Sequence, residues 1–246
     1  MSSAMSTLSK IGAEVLAMLL PASCVGCGKI LDPHVECFCI ECRANMPTTN
    51  FHMDCDNPMA VKLRAQCAVV ENAAAQYYYT YGGNWRTVIH NIKYRGMWYA
   101  AYRIGYIYGC ELKESELYQD VDLVVPIPLH FTRMLRRRYN QSELIASGIA
   151  KALGVTVDRR TVVRHRNNKS QVTRTKMERW ENVEGIFSVK RPAKFDRKHI
   201  LLVDDVFTTG ATIISCIEAI SAAAPTCRIS VATLAVSRNV VNKHIA

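Results

Sequence analysis

Residues 200–212 read Ile-Leu-Leu-Val-Asp-Asp-Val-Phe-Thr-Thr-Gly-Ala-Thr, and no other stretch of the 246-residue chain restricts the fold as tightly. An apolar run of strand length ends in two adjacent carboxylates, Asp204 and Asp205. A hydroxyl-rich turn follows, and a helical stretch opens at about Ala211. That order builds an anion site. The free N–H groups of a helix's first turn point outward and carry partial positive charge. Gly210 lets the backbone turn tightly and approach a ligand closely. Thr208, Thr209 and Thr212 add hydroxyl donors, and the paired carboxylates suit ribose hydroxyls, from which they accept hydrogen bonds.

The run resembles the phosphoribosyl-pyrophosphate (PRPP) signature of type I phosphoribosyltransferases: apolar strand, Asp-Asp, spacer, Thr-Thr-Gly-x-Thr. The resemblance implies that Asp204 and Asp205 hold the ribose 2′- and 3′-hydroxyls as the candidate catalytic pair. It also implies that Thr208, Thr209, Gly210, Ala211 and Thr212 hold the 5′-phosphate.

Ten cysteines are spread unevenly. Cys24-Val-Gly-Cys27 is followed, after an 11-residue gap, by Cys39-Ile-Glu-Cys42. Two Cys-x-x-Cys knuckles can meet on one tetrahedral zinc, with Gly26 and Gly28 supplying the turn. With all four positions filled by protein, such a zinc is structural. Cys37 lies in the gap and is an alternative to Cys39 as ligand. His52, Cys55 and Cys67 form an incomplete candidate for a second site. Cys110, Cys216 and Cys227 sit in apolar stretches and read as small core residues.

The chain is globular in composition, 49% apolar and 21% charged. Its net charge of +10 favours an anionic partner. No apolar run reaches the roughly 18 residues that span a bilayer. Residues 6–20 read as a short amphipathic helix, with Leu8, Ile11, Val15, Met18 and Leu19 on one face, rather than as a signal peptide, because Glu14 interrupts the apolar stretch. Residues 47–65 look like a polar linker with Pro47, Asn57 and Pro58 as breakers. Strands are expected at 68–81, 122–127, 200–204 and 228–236, and helices at 84–93, 97–110, 140–153 and 211–223. This alternation predicts an α/β fold with a mostly parallel sheet, whose ligands sit at the carboxyl ends of its strands.

Residues 124–146 carry a strand ending in Pro126-Ile127-Pro128, then Arg133, Arg136, Arg137 and Arg138, then Asn140-Gln141-Ser142 opening a helix. Asn140 is a good N-cap, and arginines at a strand end can clamp phosphates. Together with the cysteines, the chain resembles the ComF family (ComFC/GntX-like), which pairs a four-cysteine zinc module with a phosphoribosyltransferase domain. The family's Arg-Gly-Phe-Asn-Gln-Ser appears here as Arg137-Arg138-Tyr139-Asn140-Gln141-Ser142, with Arg138 in place of glycine. Ile92-Lys93-Tyr94-Arg95-Gly96 resembles its Leu-Lys-Tyr-x-Gly segment, which implies that Lys93 and Arg95 face the pyrophosphate. Arg137 joins them in balancing leaving-group charge. Residues 164–187 resemble a further family segment ending Arg-x-x-Asn-x-x-Gly-x-Phe.

The resemblance implies a type I phosphoribosyltransferase-like parallel sheet flanked by helices, with a small N-terminal zinc module. The expected division is 1–46 for the N-terminal helix and zinc module, 47–66 for a linker, and 67–246 for the phosphoribosyltransferase-like domain. It also implies structural zinc, magnesium carried with PRPP, and a cytoplasmic competence protein in DNA uptake during natural transformation, located at the inner face of the membrane through partners. PRPP, single-stranded DNA, a DNA-uptake helicase and other competence proteins are the expected partners. Two other readings stand beside it: an active phosphoribosyltransferase (a glycosyltransferase of pentosyl groups) on an unidentified nitrogenous acceptor, and a non-catalytic PRPP sensor. The basic stretch 159–179 suits either closure over PRPP or contact with a nucleic-acid backbone.

Overall fold

The computed structural model describes residues 23–32, 37–79, 84–94, 96–165 and 185–241. The expected helix at 6–20, Arg95, and residues 166–184 of the basic and family segments lie outside them. The described chain runs through α1 (Ile40–Ala44), α2 (Pro58–Arg64), β1 (Val70–Tyr79), α3 (Asn84–Tyr94), α4 (Trp98–Glu114), β2 (Leu123–Pro126), α5 (Phe131–Arg137), α6 (Gln141–Leu153), β3 (Thr156–Val157), β4 (Val162–Arg164), β5 (Phe187–Val189), β6 (His199–Phe207), α7 (Ala211–Ala223), β7 (Arg228–Ser237) and α8 (Arg238–Val241).

Five strands form one parallel sheet in the order β1-β7-β6-β2-β3. Strands β4 and β5 form a separate antiparallel pair. Central parallel strands are covered on both faces and read as unbroken apolar runs. Ile200, Leu201, Leu202 and Val203 of β6 and Val231, Ala232, Leu234, Ala235 and Val236 of β7 are accordingly buried. Cys216 and Cys227 join this core, while Cys110 is half-buried.

Two helices cross on a seam of small residues. A Cβ added at Gly148 of α6 would lie 2.2 Å from the Tyr102 carbonyl oxygen of α4, and one at Gly105 would lie 2.4 Å from that of Ile145. Only glycine allows this approach. The seam fixes α6, whose first turn reaches the end of β6.

The strand and helix expectations hold to within a few residues, except that β6 runs on to Phe207 and α4 to Glu114. The stretch expected as a polar linker differs. Pro58–Arg64 is a helix, with Met59, Ala60 and Leu63 fully buried. Asn57 and Pro58, read as breakers, are its start signal. The Asn57 side chain accepts from the Met59 and Ala60 N–H groups, and proline occupies the first turn, where no donor is needed. The Asn57 amide also donates to the carbonyls of Phe51, Asp54 and Ala73. The short α5 within the arginine-rich segment was likewise not marked by the sequence pattern.

At the amino ends of the strands, an ionic network ties three of them together. His199 contacts Asp120 through Nδ1 and the Ser230 hydroxyl through Nε2, both at 2.8 Å. Arg228 donates twice to Glu71 and once to Asp120. The serine–histidine–aspartate order resembles a hydrolytic triad, but Ser230 is fully buried, so no substrate reaches its hydroxyl.

We expect Gly148→Ala to lower stability by roughly 1–3 kcal/mol through overpacking, although alanine is the better helix former by about 1 kcal/mol. Urea unfolding of the variant beside wild type measures it, and a stability gain would contradict the close crossing.

Candidate functional site

The acid pair stands at the carboxyl end of β6, where the strand leaves its buried run. Asp204 is half-buried and accepts from the Ser142 hydroxyl at 2.9 Å and from the Asp205 N–H at 2.9 Å. Asp205 pairs with the Lys93 ammonium at 2.7 Å, and both side chains are mostly buried, at 14% and 19% exposure. Burial first, then the Asp205 carboxylate beside it, push the Asp204 carboxyl up to about 6. The Asp205 N–H, Ser142 and Lys93 pull the other way.

Beyond the pair, Thr208, Thr209 and Gly210 turn the chain into α7 as expected. Gly210 adopts φ +86°, and its Cβ would meet the Phe207 ring at 2.8 Å, so glycine is required on both counts. As the cap residue Gly210 offers no side chain, and one weak contact runs from the Ala211 N–H to the Thr209 hydroxyl at 3.4 Å. Asp204, Val206 and residues 207–213 line a small cavity of about 50 Å³ there. A larger cleft of about 210 Å³ lies by Asp122, Asp158, Lys194 and Lys198, but its lysines are already paired with its acids, Lys194 with Asp158 and Lys198 with Asp122.

Arg137, at the end of α5, donates to the Gln141 side-chain oxygen at 2.9 Å and to the Tyr94 hydroxyl at 3.3 Å, with its guanidinium over the Tyr94 ring. Arg137 and the Lys93–Tyr94 end of α3 are thus neighbours. Asn140 caps α6 as expected, accepting from the Ser142 N–H and donating to the Ile127 carbonyl. Arg138, standing where the family pattern has glycine, keeps the glycine conformation with φ +67° and closes α5. That left-handed geometry costs a non-glycine residue about 1–2 kcal/mol.

The four predicted zinc ligands converge. The Sγ atoms of Cys24, Cys27, Cys39 and Cys42 lie within 4.8 Å of one another, and those of Cys27 and Cys39 are 3.7 Å apart. A tetrahedral zinc with bonds of about 2.3 Å needs sulfurs about 3.8 Å apart, so the donor set fits the ion. Backbone N–H groups point at the sulfurs, Cys39 to Cys24 and Cys42 to Cys39, each at 3.4 Å. Burial raises the Cys24 thiol, but the N–H groups of Cys27, Cys39 and Gly26 outweigh it and bring the group down to about 6. Cys37 is excluded from the cluster. The converging sulfurs include that of Cys39 and not that of Cys37, which is buried and whose thiol burial pushes up to about 11. His52, Cys55 and Cys67 do not come together as a ligand group among the described residues.

The sequence pattern did not mark Ser142 as a partner of Asp204, or Tyr94 as a partner of Arg137. Both contacts bridge segments more than 40 residues apart, and no local pattern reports such pairs.

Fold and site define a phosphoribosyltransferase-like protein, and comparison with known proteins agrees. Residues 140–244 match the phosphoribosyl transferase domain family. The "DNA utilization protein YhgH" of Salmonella typhi is 35% identical over 92 residues, covering 37% of this chain and 40% of that protein. "Competence protein F" of Haemophilus influenzae is 28% identical over 112 residues, 45% of this chain and 49% of that one. "Competence protein ComFC" of Bacillus subtilis is 27% identical over 193 residues, 72% and 75%. The chain thus spans about two-fifths to one-half of the length of the first two and three-quarters of the third. It is similar to ComF-type competence proteins and carries a phosphoribosyltransferase-like domain.

The raised Asp204 carboxyl binds its proton more tightly folded than unfolded. Its contribution to stability is therefore complete below about pH 4 and is lost as pH rises through about 6. Asp204→Asn removes that loss. We expect the variant to be more stable than wild type by about 1–3 kcal/mol at pH 8, with no gain near pH 4. Denaturant melts at the two pH values decide it, and a variant less stable at pH 8 contradicts the reading. For the cysteines, we expect about one zinc per chain by elemental analysis, lost in the Cys24→Ser/Cys27→Ser variant. Freshly purified protein without zinc contradicts the assignment.

Proposed function

We propose that the chain is a ComF-type competence protein that binds PRPP, with magnesium, at residues 204–212 and handles DNA taken up in natural transformation. The observation that carries the PRPP half is the juxtaposition of an acid pair, two basic groups and an uncapped helix N-terminus at the carboxyl end of a central parallel strand. On this reading Asp204 and Asp205 accept from the ribose hydroxyls, and the backbone of residues 208–212 takes the 5′-phosphate. Lys93 and Arg137 are assigned to the pyrophosphate side, and the sequence resemblance adds Arg95 to them. Magnesium, when bound, is held mainly by the pyrophosphate oxygens and offsets their charge. Ribose binding favours the ionised acid pair, so affinity falls as pH drops below about 6.

The DNA half rests on the relatives' names and on the rim of the site. Tyr94, Trp98 and Tyr99 are about half exposed or more, at 50%, 59% and 49%, and Met134 and Leu135 are exposed on α5. Arg137 links the two segments through Tyr94. Exposed aromatic rings beside basic groups suit single-stranded nucleic acid, whose bases stack while its phosphates pair. A DNA-uptake helicase is the partner class this role requires. No described helix is long and apolar enough to cross a membrane, and we place the protein in the cytoplasm, at the inner face of the membrane through partners. We propose that the chain divides near residues 46 and 66, with α2 inside the middle segment.

Two outcomes test the proposal. In a naturally competent strain lacking its own ComF-type protein, the wild-type chain restores transformation and the Asp204→Ala/Asp205→Ala variant does not. Equal rescue by the variant would remove the PRPP site from the function. With a labelled thymidine 15-mer, Trp98→Ala/Tyr99→Ala weakens binding at least about fivefold, since each stacked base contributes about 1–3 kcal/mol. Unchanged binding would remove the rim.

A further inference from the structure

The zinc module and the acid pair meet the same short helix from two sides. Asn91 and Lys93 are two residues apart on α3, which places them about 200° apart around the helix axis. On one side, the buried Asn91 amide donates to the Val25 carbonyl at 2.9 Å. Val25 lies between the zinc ligands Cys24 and Cys27, and its own N–H donates to the Cys37 carbonyl at 2.8 Å. On the other side, the Lys93 ammonium reaches Asp205 at 2.7 Å. Phe38, next to Cys39, packs on Trp85 in the first turn of the same helix, with ring centroids 6.3 Å apart. The four-cysteine cluster is therefore the wall against which α3 is held while its far face delivers a cation to the acid pair.

We propose that the zinc module positions Lys93, that Asn91 is the positioning residue transmitting this, and that loss of zinc withdraws Lys93 from Asp205. Its consequence for ligand binding rests on the PRPP reading above. The placement of Lys93 does not.

The structure argues for transmission through Asn91 in particular. A buried amide that loses its acceptor leaves an unsatisfied donor, so the helix must shift or admit water. The Val25 carbonyl sits on a knuckle that a zinc held by Cys24, Cys27, Cys39 and Cys42 would make rigid. Without the ion, four thiols with no common centre replace one closed unit, and the carbonyl loses its fixed position. Lys93 is long and flexible, so its place at Asp205 depends on where the helix backbone stands. Tyr139, which donates to the Ile92 carbonyl, holds the carboxyl end of α3 from the other side, so a shift is a tilt rather than a detachment.

The test uses the zinc-loaded full-length protein and two readouts. The first needs no ligand: the carboxyl titration of Asp204, followed by carbon-13 NMR. Lys93 draws the Asp204 titration downward, so its withdrawal raises it. We expect Asn91→Ala to keep its zinc and to shift the Asp204 titration upward, and chelation of wild type to shift it the same way. In a Lys93→Met background neither change adds a further shift. The second readout is PRPP affinity, which Asn91→Ala weakens roughly tenfold, the size expected when the buried Val25 carbonyl loses its donor, and by less than about twofold once Lys93 is Met. An Asp204 titration that does not move in zinc-replete Asn91→Ala overturns the proposal, as does an equal shift with and without Lys93, which would mark a general loss of structure. A normal titration response in a protein that binds no PRPP would uphold the positioning role and sink the PRPP reading instead.

Discussion

Two carboxylates in consecutive positions at the end of a buried strand repel one another and resist burial, and the surroundings of β6 are organised around that conflict. Lys93 neutralises Asp205, while Ser142 and the Asp205 N–H donate to Asp204, whose proton is nevertheless held up to about pH 6. Each partner comes from a different part of the chain. Lys93 comes from α3, which the Asn91–Val25 hydrogen bond ties to the four-cysteine segment. Ser142 comes from α6, held by the glycine seam with α4. The pair is thus a meeting point, and its geometry reports on packing elsewhere.

The two ends of the sheet contrast. At the amino ends, His199, Asp120, Ser230, Arg228 and Glu71 satisfy one another in a closed network, and strands that share it have little freedom to slide. At the carboxyl ends, Asp204 carries an unfavourable charge at neutral pH, Gly210 and Arg138 adopt left-handed backbone, and α7 begins without a side-chain cap. Ionic pairing is concentrated at one end and exposed donors at the other, while left-handed backbone occurs at both, at Arg197 before β6 and at Arg138 and Gly210. A ligand that brings hydroxyl protons to the acids and phosphate oxygens to the helix N-terminus would relieve several of these costs at once.

Much of this was legible in the sequence because its signals are local. The acid pair, the Thr-Thr-Gly turn, the paired Cys-x-x-Cys knuckles and the Asn140 cap each lie within a few residues and obey fixed spacing rules. The sheet followed from alternating elements. What escaped was of two kinds. Asn57-Pro58 carries the same residues whether it breaks a chain or starts a helix, and only the burial of Met59 and Leu63 against the sheet decides between them. The contacts Ser142–Asp204, Tyr94–Arg137 and Asn91–Val25 span 43 to 66 residues, so they depend on tertiary placement that no local pattern encodes.

The most direct test of the account is calorimetric titration of the zinc-loaded full-length chain with PRPP and magnesium at neutral pH. The account predicts saturable binding at one site per chain, abolished when Asp204 and Asp205 are both alanine, with the variant still folded by circular dichroism. Absence of binding to the wild-type chain, or undiminished binding to the double variant, would contradict it.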